Sequence, residues 1–164
     1  MLALIAFIVA FKLPYALIRK TSKAVLLAGL ILCALLAILA VAGSGLAECE
    51  LGACRWFDFG GLSLQPAEIL KIGLVLYLAS LMAERKKNQR LESLDFWIPF
   101  VAVSGLSLFF VVIVQKDLGT GVSLMAIILM MLFMSGVKIQ YFLAALLAIG
   151  VMGGLTIVTS PHRM

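Results

Sequence analysis

The chain has 164 residues, 64% of them hydrophobic and 13% charged, with a mean hydropathy of +1.19. Soluble domains carry about 45–50% apolar and about 25% charged residues, so charge is too sparse here to coat a globule; a soluble single domain, a disordered chain and a secreted disulfide scaffold are excluded. The 13 Lys+Arg against 8 Asp+Glu leave a net +5, and in the remaining class, a polytopic membrane protein solvated by lipid, their placement matters more than their sum.

A membrane span takes roughly 20 apolar residues. In chain order six stretches qualify: about Leu2–Ile18, Val25–Ala42, Gln65–Ala83, Phe96–Val114, Leu118–Val137 and Tyr141–Val158. They predict an all-α polytopic membrane protein, one integral membrane domain over 1–164, because continuous apolar runs with short connections leave no alternating pattern for a barrel. The basic residues fall in every second connection: Arg19, Lys20 and Lys23, then Arg85, Lys86, Lys87 and Arg90, then Lys138. The positive-inside rule puts these on the cytoplasmic side and the loop 43–64, the Gln115–Thr120 turn and the Ser160–Met164 end outside. Both termini then face outward with no basic segment ahead of the first apolar run, which reads as a cut-out piece and not as a secretory leader. Cys33 lies mid-span as a small apolar filler. Cys49 and Cys54 share the outer loop, where a disulfide is permitted but not decided by spacing. Gly150 and Gly154 have the spacing of a close helix–helix contact, and His162 is assigned no chemistry.

An ionised side chain inside a span costs about 2.5 kcal/mol or more on insertion scales, so each needs a partner or a purpose. Gln65-Pro66-Ala67-Glu68-Ile69-Leu70-Lys71 opens the third span. Pro66 suits the first helical position, which places Lys71 three residues after Glu68 on the same face. Glu68 is either a cap for free backbone N–H groups or part of a site. Lys71, in a turn where a cation opposes the helix dipole, is either a snorkelling side chain or a functional cation. Gln115-Lys116-Asp117-Leu118-Gly119-Thr120-Gly121 follows the fourth span, with Asp117 placed to cap the fifth. Glu68, Lys71 and Asp117 fall at one outer depth, where two carboxylates and an ammonium facing a common cleft would hold an anionic or polyhydroxylated headgroup. Trp56 is either an interfacial anchor or a wall of the cleft mouth.

Arg55-Trp56-Phe57, then Gln65-Pro66-Ala67-Glu68 with Lys71, then Gln115-Lys116-Asp117-Leu118-Gly119-Thr120 resemble the motifs of the SEDS family (shape, elongation, division and sporulation), the RodA/FtsW/SpoVE-like peptidoglycan polymerases. The family pattern is an Arg-Trp-aromatic step, QPSE with a Lys three residues after the Glu, and QPDLGT. This chain carries Ala67 for the Ser and Lys116 for the Pro, the second change freeing a backbone N–H and placing a cation beside Asp117. The resemblance covers nearly the whole chain and implies a fold of about ten membrane spans. These six would be the second to the seventh of an internal fragment, its ending slightly closer to the division and sporulation branch.

The resemblance further implies a peptidoglycan glycosyltransferase of cell division or elongation in the bacterial inner membrane. It would polymerise lipid II, a disaccharide-pentapeptide on a polyprenyl diphosphate, at the outer face, beside a class B penicillin-binding transpeptidase and with no nucleic acid involved. Trp56, Gln65, Glu68, Lys71 and Asp117 would line the substrate cleft. The acid that the family uses as base would lie beyond residue 164, so no catalytic residue is assigned. No cofactor or metal site is assigned either, with a divalent cation at Glu68 and Asp117 as the open alternative. In such a reaction a carboxylate takes the proton of the attacking hydroxyl, a cation stabilises the departing diphosphate, and inversion suits direct displacement. The rival readings are a lipid II flippase or transporter, and a membrane scaffold for the transpeptidase.

Overall fold

The computed structural model describes residues 12, 14–50, 53–61, 63–87 and 93–158, with the backbone alone at 50, 87, 149 and 152–158. Most of the first expected span, together with Arg90, His162 and the Ser160–Met164 end, lies outside these residues. Among the described residues there are five α-helices and one small sheet, where six membrane helices are expected from the sequence. Four helical segments, Tyr15–Val41, Pro66–Lys86, Leu94–Val114 and Leu118–Ser135, are long and apolar enough to cross a membrane.

Helix α1 runs over Tyr15–Val41. It starts directly after Pro14, whose extended backbone (φ −66°, ψ 135°) sets the entry and whose carbonyl accepts from Leu17 N–H at 2.9 Å. The connection expected around Arg19, Lys20 and Lys23 is therefore helical: the long side chains carry charge away while the backbone bonds stay inside the helix. Twenty-seven residues make a rod of about 40 Å, longer than the roughly 30 Å hydrocarbon layer, so the first, charged turns fall at headgroup level.

The connection expected to face outward is also more ordered than a helix-only fold allows. Strands β1 (Ala47–Glu50), β2 (Ala53–Asp58) and β3 (Ser63–Leu64) form an antiparallel sheet in chain order. Cys49 and Cys54 face each other across β1 and β2 and are joined by a disulfide. Along β2, Ala53 and Phe57 are buried while Trp56 and Asp58 are exposed, the two-residue alternation of a half-buried strand. The alternation is confined to six residues, too few to stand out beside the apolar runs.

Helix α2 (Pro66–Lys87) buries Leu70, Leu74 and Leu78 completely, one side of the helix at every fourth residue. Helix α3 (Leu94–Leu108) passes into a π-helical stretch, Phe109–Val114. Helix α4 (Leu118–Ser135) buries Leu124, Ile128 and Leu132 and ends at Gly136, whose φ of +79° is the left-handed closing turn that glycine adopts freely. Helix α5 covers Ile139–Val158. The buried stripes meet in one core, while Ile31, Ile38, Ile98, Val101, Val122 and Phe133 are each more than half exposed, as a lipid-solvated surface requires. Arg19 Nη2 lies 3.4 Å from Glu84 Oε2, so α1 and α2 are antiparallel. The rings of Trp97 and Tyr141 pack at 5.2 Å, bringing the starts of α3 and α5 together.

The tightest packing is between α1 and α2. A Cβ built on Gly29 would stand 2.7 Å from Leu70 Cα, and one on Gly73 would stand 2.7 Å from Leu26 Cα. Two glycines thus let the backbones approach from both sides. Gly150, by contrast, has nothing within 4 Å of such a Cβ, so the close contact read from the Gly150/Gly154 spacing is not found at its described member. Gly29→Val and Gly73→Val should each cost about 1–3 kcal/mol by overpacking, seen as a lowered Tm in detergent, with Gly150→Val neutral. Equal Tm values for all three variants would refute the close approach.

Candidate functional site

At the start of α2, Pro66 takes the first helical position and Glu68 N–H bonds to the Gln65 carbonyl at 3.1 Å. Glu68 turns along the helix and not back to the free N–H groups: its Oε1 lies 2.7 Å from Lys71 Nζ. The pair is unevenly exposed, 55% for the acid and 23% for the lysine. Lys71 also borders an apolar groove of about 300 Å³ lined by Ile72, Val75 and Leu76 of α2 and Ile127 of α4. A cation at the edge of an apolar groove fits an amphiphile with an anionic end.

The turn between α3 and α4 is built differently. Through the π-helical stretch the backbone bonds lengthen to five residues, with Gln115 N–H on the Phe110 carbonyl at 2.9 Å, and Asp117 N–H reaches the Val111 carbonyl at 3.0 Å. Such insertions recur at functional sites. The stretch delivers Gln115 into the interior, 1% exposed, with its amide beside the Cys33 thiol of α1. Lys116 then takes φ +53°, a left-handed conformation uncommon for a residue with a side chain.

Asp117, 6% exposed, caps α4. Its Oδ1 accepts the Thr120 N–H at 3.1 Å, and its Oδ2 accepts the Thr120 hydroxyl at 2.8 Å and the Gln65 amide at 3.2 Å. This carboxylate therefore ties the start of α4 to the start of α2. Gln65 and Asp117 meet, and Glu68 and Lys71 meet. The expected cleft residues form two neighbouring clusters, joined through the Gln65–Glu68 turn, where one shared cluster is expected from the sequence.

Trp56 precedes Phe57, whose partner on β3 is Leu64, so the strand register brings its backbone beside Gln65. It lies on β2 opposite Glu48, on the strand face that alternation turns away from Arg55, and is 38% exposed. Arg55 is the residue that faces the turn: its Nη2 donates to the Lys116 carbonyl at 3.5 Å, and its Nε is buried without a hydrogen bond. Arg55 and Gln115 are thus the site-adjacent residues that sequence reasoning assigns no role. The signal for Gln115 was a neutral amide closing an apolar span; for Arg55 it was a cation in an otherwise acidic loop.

The family model described as "Cell cycle protein" (FTSW_RODA_SPOVE) matches residues 1–164. A curated protein from Escherichia coli O6:H1 strain CFT073, "Probable peptidoglycan glycosyltransferase FtsW", is 34% identical over 164 residues, 99% of this chain and 37% of that protein. A protein of the same name from Halorhodospira halophila is 31% identical over 135 residues, 82% of this chain and 34% of its own length. The chain thus spans about a third of the length of the curated relatives it matches. Among solved structures, the rod shape determining protein RodA of Thermus thermophilus superimposes with a TM-score of 0.71 at 23% identity, over 92% of this chain and 46% of that one, a likeness of fold.

The turn geometry is open to two tests. Asp117→Ala, which removes all three accepted bonds, should lower stability by about 1–3 kcal/mol, with Asp117→Asn intermediate in the same thermal melt. Lys116→Gly should keep the fold, whereas Lys116→Pro forces φ to about −65° and should destabilise; an unchanged Tm for the proline variant would rule out the left-handed turn.

Proposed function

Since the chain belongs to the FtsW/RodA/SpoVE family of cell cycle proteins, we propose that it forms the donor-receiving part of a division-type peptidoglycan glycosyltransferase. In this reading it is six of about ten spans of an inner-membrane enzyme, with the motif end facing outward. The substrate class is a polyprenyl diphosphate carrying a disaccharide-pentapeptide. The observation that carries the reading is Lys71: a largely buried side chain whose ammonium pairs with Glu68 and whose stem borders an apolar groove between α2 and α4. A lipid-linked donor needs a surface for its hydrocarbon and a cation for the diphosphate that departs, and a fixed cation is worth most where water is scarce.

Glu68 then holds the ammonium in place. Asp117 has a positioning role: three donors already occupy its oxygens, so it orients Gln65 and the α4 start and is poorly free to accept a proton. The base for the attacking hydroxyl is accordingly sought outside these clusters. A divalent cation at Glu68 would have to displace Lys71. A class B penicillin-binding transpeptidase as partner rests on the family resemblance alone.

The test is a chimera in which this segment replaces the matching region of the Escherichia coli relative. Lys71→Met should lower lipid II polymerisation about 100-fold or more, with membrane insertion and Tm retained and partial recovery in Lys71→Arg. Polymerisation at the parent rate in Lys71→Met would remove this lysine from the site. A chimera that moves labelled lipid between leaflets yet makes no polymer would favour transport.

A further inference from the structure

The bundle end opposite the motifs contains a second pocket, of about 510 Å³, within the size range of ligand sites. It lies between the first turns of α1, the last turns of α2 and Pro99 of α3. Four cations line it, Arg19, Lys20 and Lys23 from α1 and Arg85 from α2, against one carboxylate, Glu84. Glu84 is engaged with Arg19 at 3.4 Å, and Arg85 Nε is buried with no hydrogen bond. Electrostatics within the chain do not account for this arrangement. Three of the cations come from the second and third turns of α1. An anion in the pocket would be attracted by the four cations.

We propose that this pocket binds the phosphate diester headgroup of an anionic membrane lipid. The length of α1 puts its first turns at headgroup depth, so the phosphate of a lipid in the surrounding leaflet reaches the pocket with its acyl chains still in the bilayer. Basic pockets between transmembrane helices are a recurrent way of holding such groups. Tyr77 and Ser80, which also line the pocket, offer hydroxyls to the polar part of the headgroup. The site is independent of the donor reading of Lys71, because it uses none of the same residues.

The experiment is a thermal melt of the whole chain in zwitterionic detergent, titrated with dihexanoyl phosphatidylglycerol, dihexanoyl phosphatidylcholine or inorganic phosphate at constant ionic strength. Phosphatidylglycerol is expected to raise Tm saturably while the other two do not. Lys23→Gln and Arg85→Gln should each weaken its apparent affinity about fivefold, and Lys86→Gln, which removes the same charge outside the pocket, should not. Lys23 is exposed, so its variant reads the site even where loss of Arg85 impairs folding. Equal stabilisation by phosphatidylcholine, or equal weakening by Lys86→Gln, would overturn the proposal, and stabilisation by inorganic phosphate matching that by the lipid would assign the pocket to a soluble anion.

Discussion

Asp117 accepts three hydrogen bonds from two helix starts in a setting where lipid offers none. A buried carboxylate is tolerated only when its partners come from the chain itself, and here each partner belongs to an element that would otherwise be positioned by apolar packing alone. Packing between Leu, Ile and Phe surfaces is permissive of small slides and rotations, whereas a carboxylate with three directed donors is not. The α3–α4 turn, the entry to α2 and, through the Arg55–Lys116 contact, the three-stranded sheet are all referenced to this one group.

The same physics sorts the two ends of the bundle. At the motif end polar groups are few and partly buried, with Glu68 on Lys71 and Asp117 on Gln65 and Thr120, while Arg55 Nε is buried without a hydrogen bond. At the opposite end the charge is mostly cationic and carried by long side chains on helix termini. Between them the reciprocal glycine contacts at Gly29 and Gly73 replace the hydrophobic drive that lipid removes. The chain thus has two chemically distinct ends separated by an apolar layer.

Much of this was legible beforehand. Helical class follows from apolar run length, Asp117 as a cap from its place before Leu118, and the motif residues carried the family, whose Escherichia coli and Halorhodospira halophila members bear the division-type name. What escaped has identifiable reasons. The start of α1 at Tyr15 was hidden because Arg19, Lys20 and Lys23 look like a loop to a hydropathy reading, although lysine and arginine are good helix formers. The sheet was hidden because its alternation is short. Gly29 and Gly73 lie on different helices, so no spacing rule links them, while the regular Gly150/Gly154 spacing drew attention to a position with open space. The division of the polar residues into two clusters depends on side-chain direction, which depth along a helix does not specify.

The π-helical stretch Phe109–Val114 bears on how this segment tolerates change in length. A wide turn amounts to one residue inserted into an α-helix, so removing any single residue from it would let the helix wind regularly and by itself relieve strain. The same deletion would turn everything downstream by about 100° about the axis, swinging Gln115 out of the interior and Asp117 away from Gln65. The residue count of this stretch is thus constrained as well as its buried Val111 and Val112.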